Sequence, residues 1–253
     1  MQPPLHATLL DRRGEYGIDG LLAGVLGMAA GGVALLVFAI VLVCGEHPGG
    51  AAFPFAGAAS LLTTIGIYLH TTRRGKFAVW AELVEGLQLA GDERVLDVGC
   101  GRGAVLTMIA KALPRGRVVG IDLWSTADQS GNGPDAARRN LEREGVQDRC
   151  ELVTGDMRKM PFADASFDLV VSSLAIHNIL VREGRMQAID EIARVLRPGG
   201  RVAIADLART ATYARRLEER GLVAVTRRHL GWRFLWGMGI PATRLVTGSK
   251  PPK

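Results

Sequence analysis

The chain has 253 residues, room for one large domain and an appendage. It carries 22% charged residues, a net charge of +6 and a mean hydropathy of +0.16, so it is more apolar than most soluble domains, and the excess sits at one end. Its three cysteines, Cys44, Cys100 and Cys150, fall in no disulfide or zinc spacing.

In chain order, residues 1–20 form a polar N-terminal segment. Residues 20–45 contain no Asp, Glu, Lys or Arg, and neither do residues 47–72. About 20 apolar residues cross a bilayer, so two membrane helices are expected near 21–43 and 53–71, joined by the Pro- and Gly-containing turn at 45–50. The first stretch is too long for the core of a signal peptide. Gly20, Gly24, Gly27 and Gly31 recur at three- and four-residue spacing, which predicts close contact with the second helix. Arg12 and Arg13 precede the pair, and Arg73, Arg74 and Lys76 follow it, while the turn has no Lys or Arg. The positive-inside rule then places both ends in the cytosol and the hairpin in the cell membrane.

After the hairpin, residues 77–89 have the apolar spacing of a helix with one buried face. The run VLDVGCGRG at 95–103 follows: a short apolar strand with an acid at its third position, opening into a glycine-rich turn and then a helix over 104–113. Strand, glycine turn and helix form a nucleotide site in α/β sheets, because glycine lets backbone approach the ligand. The spacing Gly99-x-Gly101-x-Gly103 is not that of a dinucleotide fold. Asp97 would repel a pyrophosphate and attract a cationic group. Further strands are expected at 94–98, 117–122, 150–154, 168–173 and 201–205, with an antiparallel pair at 222–228 and 243–247. Helices are expected to end at Gly145 and to cover 185–196. The alternation predicts an α/β, doubly wound, mainly parallel seven-stranded sheet, with ligands at the carboxyl ends of the strands.

The run at 95–103 resembles motif I of the class I S-adenosylmethionine-dependent methyltransferases. The resemblance continues over residues 77–250, through VVGIDL at 118–123, GDM at 155–157, FDLVVSS at 167–173 and LRPGGRVAIA at 196–205. The overall pattern is most similar to the ubiquinone/menaquinone-type and related small-molecule branch, here preceded by two transmembrane helices. The resemblance implies a Rossmann-like methyltransferase sheet and S-adenosyl-L-methionine as cofactor. By the same resemblance Asp122 accepts from the ribose hydroxyls, and Asp97 acts on the methionine end, with Gly99, Gly101 and Gly103 clearing space for it. Cys100, inside the loop, reads as a small packing residue and not a nucleophile. Asp156 accepts from the adenine amino group, Met157 adds backbone and packing, and Leu123 lies on the adenine face. Backbone around Ser172 and Ser173 either faces the methionine portion or forms a plain strand-end turn.

Three segments carry two readings each. The polar loop 124–134 either folds over the cofactor, using Asp128, Gln129 or Asn132, or is plain surface. His177 either orients or deprotonates the acceptor, or satisfies backbone at a helix start. The segment 230–241, with Trp232, Phe234, Trp236 and Met238, either meets the bilayer or an apolar acceptor, or packs on the last strands.

What is absent narrows the acceptor. No Asn/Asp-Pro-Pro-aromatic turn follows strand four, no glutamate pair flanks that loop and no metal-ligand cluster is evident, so base, protein-arginine and magnesium-dependent catechol chemistries are disfavoured. Arg209, Arg215, Arg216, Arg220, Arg227, Arg228 and Arg233 come without a recognition module, so an anionic leaflet is a better partner for them than nucleic acid. The expected activity is methyl transfer to a small, hydrophobic or membrane-associated acceptor through O, C, N or S. The alternative is a membrane-anchored binder of S-adenosylmethionine without turnover. A nucleotide-dependent oxidoreductase is disfavoured by the glycine spacing and Asp97.

Overall fold

A computed structural model describes residues 4–19, 22–45, 47–238 and 241–252. Seven strands form one sheet in the order β3-β2-β1-β4-β5-β7-β6. They are β1 (Arg94–Val98), β2 (Arg117–Asp122), β3 (Cys150–Thr154), β4 (Phe167–Ser173), β5 (Leu196–Asp206), β6 (Val223–His229) and β7 (Arg244–Ser249). The first five are parallel, and β7 runs antiparallel between β5 and β6. The inner strands are buried on both faces and accordingly read as unbroken apolar runs. The strand order reverses between β1 and β4, which opens a crevice beyond their carboxyl ends.

The helices are α1 (Leu5–Leu10), α2 (Leu22–Cys44), α3 (Ala52–His70), α4 (Lys76–Gly86), α5 (Ala104–Ala112), α6 (Pro134–Glu144), α7 (Arg182–Val195) and α8 (Thr210–Glu219). Pro134 opens α6 and Gly145, at φ 66°, closes it, as proline and glycine do at helix ends. One face of the sheet buries Trp80, Val84, Leu106 and Ile109, and the other buries Ile189, Ile192, Tyr213 and Leu217. Strand β5 starts five residues before the expected 201. Leu196 already pairs with Phe167, and the residues between Leu196 and Arg201 bulge out before pairing resumes at Leu169.

By length and composition, Gly24–Cys44 and Pro48–Gly86 are apolar enough to cross a membrane. Only 11% of the most apolar window in the first is buried, and Val33, Val37, Phe38, Ile40 and Val41 present uncovered side chains. The glycine contact differs from the expected one. Gly20 lies outside the described residues, and a Cβ on Gly24 or Gly27 would meet nothing within 4 Å. The close approach lies farther along, where added Cβ atoms on Gly31, Gly32 and Gly57 would stand 3.7, 3.3 and 3.0 Å from Leu61, Leu62 and Leu35. The glycine contacts between the two helices thus lie at Gly31, Gly32 and Gly57 and not at Gly24 or Gly27.

No loop separates α3 from α4. A π-helical stretch, Thr71–Gly75, carries one into the other. Here the helix meets the 230–241 segment so closely that a Cβ on Gly75 would lie 1.8 Å from the Arg233 carbonyl oxygen. Thr71 donates its hydroxyl to the Leu235 carbonyl, and Arg233 forms a two-pronged ion pair with Glu82 at 2.7 Å. Phe234 and Trp236 are buried, whereas Trp232 is exposed and stacks on His70.

Candidate active site

A cavity of about 860 Å³ lies beyond the ends of β1, β2 and β4, within the usual range of about 300–1,000 Å³ for small-molecule sites. Asp97, Gly99, Cys100, Gly101, Asp122, Leu123, Asp156, Met157, Ser173 and His177 line it. Gly103 and Ser172, also expected there, do not. Gly103 sits behind the turn at φ 83° and opens α5, and the buried Ser172 hydroxyl donates to the Val98 carbonyl at 2.8 Å, tying β4 to β1.

Two positions need glycine in the turn. Gly99 has φ 73°, and a Cβ there would fall 2.2 Å from that of Ala175. Gly101 has φ 51°, and its Cβ would fall 2.6 Å from the Gln129 amide oxygen. Cys100 fills the space above Gly120, and burial, with Asp97 and Asp122 nearby, pushes its thiol far up, so it stays neutral.

The two carboxylates differ. Asp122 is already half-satisfied: Gly101 N–H donates to one oxygen at 2.8 Å and Trp124 N–H to the other at 2.6 Å. Burial raises its pKa against the pull of these amides. Asp97 is 1% exposed, and neither of its oxygens has a hydrogen-bond partner among the described residues. Burial, reinforced by the Asp122 charge, pushes its carboxyl up to about 8. A buried carboxyl without a partner is costly once ionised, and a cation in the cavity relieves that cost.

On the far side, Asp156 is held by Arg158 through both oxygens at 2.6–3.0 Å. That hydrogen bond keeps its pKa low and occupies lone pairs expected to serve an adenine. Leu123 is 58% exposed, leaving a free apolar face at the rim. The Ser173 hydroxyl accepts from Trp80 Nε1 at 2.9 Å.

The 124–134 loop lies against the turn. Gln129 accepts from Arg102 N–H at 3.0 Å and donates to the Tyr16 carbonyl at 2.9 Å, while Trp124 Nε1 donates to Thr154 at 2.7 Å. Asn132 reaches toward Asp122 at 3.5 Å. The N-terminal segment completes this roof, a role with no signature in its sequence. Glu144 accepts from the N–H groups of Arg13 and Gly14 and from the Tyr16 hydroxyl at 2.7–2.9 Å, and pairs with Lys111 at 2.6 Å. Asp19 bridges to Gln129 and pairs with the buried Lys76 at 2.6 Å.

His177 has a partner that the sequence reading lacked. Its Nδ1 lies 2.5 Å from the fully buried carboxylate of Asp206, at the end of β5, which also accepts the His177 N–H at 3.0 Å. Burial alone would lower the His177 pKa, but the Asp206 hydrogen bond and charge outweigh it and raise it. A proton on Nδ1, facing the Asp206 carboxylate, would leave Nε2 as the basic atom. The signal for Asp206 is an acid ending the fifth strand beside the fourth, visible only once the two strands are paired.

Sheet order, antiparallel last strand and glycine turn with its acids define the class I methyltransferase architecture. Residues 96–204 match the family described as "Methyltransferase domain". The chain is 38% identical over 126 residues to methyltransferase GfsG of Streptomyces halstedii, covering 50% of this chain and 42% of that one. It is 32% identical over 131 residues to sterol 4-C-methyltransferase strm-1 of Caenorhabditis elegans, covering 52% and 36%. The chain thus spans less than half the length of these two relatives. Among solved structures, geranyl diphosphate C-methyltransferase from Streptomyces coelicolor A3(2), in complex with Mg2+, geranyl diphosphate and S-adenosyl-L-homocysteine, aligns with a TM-score of 0.55 at 18% identity, over 71% of this chain and 82% of that one. Residues 96–204 are thus similar to methyltransferase domains, and the solved structure shares the fold.

Proposed function

We propose that the whole chain is a membrane-anchored methyltransferase that methylates a small, lipophilic acceptor at the cytosolic face of the cell membrane. The observation that carries this reading is the unpartnered carboxylate of Asp97, facing one cavity together with a histidine–aspartate pair. S-adenosylmethionine, when bound, supplies an electrophilic methyl group on a sulfonium. Its cationic methionine end suits Asp97, and the room kept at Gly99 and Gly101 suits close backbone approach. Asp122, Leu123, Asp156 and Met157 are the proposed ribose and adenine contacts, with Ser173 on the methionine side.

Two features favour an apolar acceptor. Leu180 and Val181, 91% and 61% exposed, form an apolar lip on the cavity just after His177. The wall opposite includes Phe77, Trp80, Met108 and Trp236. With the methyl donor bound, His177 Nε2 would accept the proton of the acceptor, and Asp206 would hold the imidazolium formed. Alignment of nucleophile, methyl and sulfur supplies much of the remaining rate. The uncovered apolar faces of α2 and the charge asymmetry at 12–13 and 73–76 support the membrane hairpin, with the sheet domain in the cytosol. Of the seven C-terminal arginines, Arg216 and Arg220 pair with Asp190 and Arg233 with Glu82, which weakens their part in leaflet attraction.

Full-length protein in detergent, incubated with methyl-labelled S-adenosylmethionine and a total lipid extract, tests the reading. Label is expected in one extractable compound with the intact protein and not with Asp97→Ala. Cofactor binding without transfer to lipid or metabolite extracts would favour the non-catalytic binder.

A further inference from the structure

The cavity does not stop at the sheet domain. Gly24, Val25 and Met28 of α2 and Tyr68 of α3 line it, in the same enclosure as Asp97 and His177. These α2 residues occupy its first two turns, within about 10 Å of its start. At this end Gly24 is exposed, and a Cβ on it would meet nothing within 4 Å. At the other end Gly31, Gly32 and Gly57 close the hairpin against Leu61, Leu62 and Leu35.

The hairpin is also held in place. Tyr68 donates its hydroxyl to the Asp19 carbonyl and packs edge-on to Trp236, with ring centroids 5.6 Å apart. Thr72 donates to the Asp19 carboxylate at 2.8 Å, beside Lys76 at 2.6 Å. Gly75 pressed on Arg233 and the unbroken passage from α3 into α4 tie α3 to the sheet domain.

We infer that the first two turns of α2 are a wall of the acceptor site, and that the acceptor is an aliphatic-tailed amphiphile entering from the bilayer, its tail passing Gly24 and its reactive head reaching His177. The hairpin is then part of the substrate path as well as an anchor. This rests on the methyltransferase reading above. The geometry suits such a ligand: a bilayer-resident tail has apolar company along Val25 and Met28, and the polar head moves only from the interface to Nε2.

The test uses the full-length protein in phosphatidylcholine nanodiscs with S-adenosylhomocysteine, and hexadecanol carrying a chain diazirine as the probe. Photolabel is expected on Val25 and Met28. Gly24→Phe, whose Cβ would meet nothing within 4 Å, should lose that label while S-adenosylhomocysteine binds with unchanged affinity. Gly27→Phe, whose Cβ is equally free but which lies outside the cavity lining, should keep it. Label spread evenly over bilayer-facing Phe38 and Val41, or insensitive to Gly24→Phe with S-adenosylhomocysteine bound normally, overturns the wall alone. A wild-type chain that fails to bind S-adenosylhomocysteine overturns the methyltransferase reading and this inference with it.

Discussion

The half of the cavity under the glycine turn and the half against the hairpin differ in what builds them. The first is made by strand ends and near-consecutive residues: Asp97 and Gly99 lie at the end of one strand, Asp122 and Leu123 at the end of another, and backbone N–H groups set the Asp122 carboxylate. The second collects Val25, Tyr68, Trp80, Trp236 and Leu180 from four separate stretches of chain. A site for an invariant ligand is thus encoded locally, whereas a site for a particular acceptor is encoded in how distant elements meet.

The sharpest way to break the first half is Asp97→Asn. Binding of S-adenosylmethionine should fall by on the order of 10²-fold or more in calorimetry, since the unpartnered carboxyl proposed to meet its cationic end is lost. The same variant should be the more stable one without ligand. Asp97 has a folded pKa near 8 against an unfolded 3.8, so the folded state binds its proton more tightly. Its contribution to stability therefore falls as pH rises from 4 to 8. Asp97→Asn lacks that decline, and its melting-temperature advantage should be larger at pH 9 than at pH 6. Wild-type cofactor binding near neutral pH should release a proton, seen as a buffer-dependent enthalpy.

Asp206→Asn separates chemistry from binding. It leaves the cofactor half intact, so the cofactor Kd should hold while kcat falls about 10²-fold, as expected for loss of an oriented base. Asp206 raises the His177 pKa, so its removal should shift the acid limb of the pH–rate profile to lower pH. A purely structural role would lower kcat without moving that limb.

Gly75→Ala addresses how the second half is held. Its Cβ cannot coexist with the Arg233 carbonyl, so helix and 230–241 segment must part, at a cost of about 1–3 kcal/mol. The expected result is a raised KM for the lipid acceptor, with cofactor affinity little changed.

The same contrast explains what the sequence discloses. Strand ends, glycine turn and acids are legible because each is a local pattern whose physics is local: an apolar run, a positive φ, an acid at a fixed offset. The β5 start at Leu196 was hidden by a Pro-Gly-Gly stretch that reads as a turn but is a bulge within continuing pairing. Asp206 was hidden because its partner lies 29 residues away, in the turn just past the neighbouring strand. The N-terminal roof has no periodicity at all. Tyr16 meets Glu144, and Asp19 meets Gln129 and Lys76, through contacts that no spacing announces. Gly24 and Gly27 mislead in the other direction, since small residues on a membrane helix signal close packing equally well where none occurs.

The smallest expected effect tests where the two halves adjoin. Gln129 links the glycine turn, through Arg102 N–H, to the N-terminal segment, through the Tyr16 carbonyl. It does not hold charge, and each bond is worth about 0.5–1.5 kcal/mol net. Gln129→Ala should therefore raise the cofactor Kd by about 3- to 10-fold. It should also free the segment around Asp19, read as faster hydrogen exchange at residues 16–19. Asn132→Ala, whose contact with Asp122 is long at 3.5 Å, should change Kd by less. Equal effects from the two variants would mean that the roof acts through direct contact with the cofactor. A Gln129 effect confined to exchange, with Kd unmoved, would make the roof a scaffold for Asp19 and Lys76, and so a part of the hairpin side of the cavity.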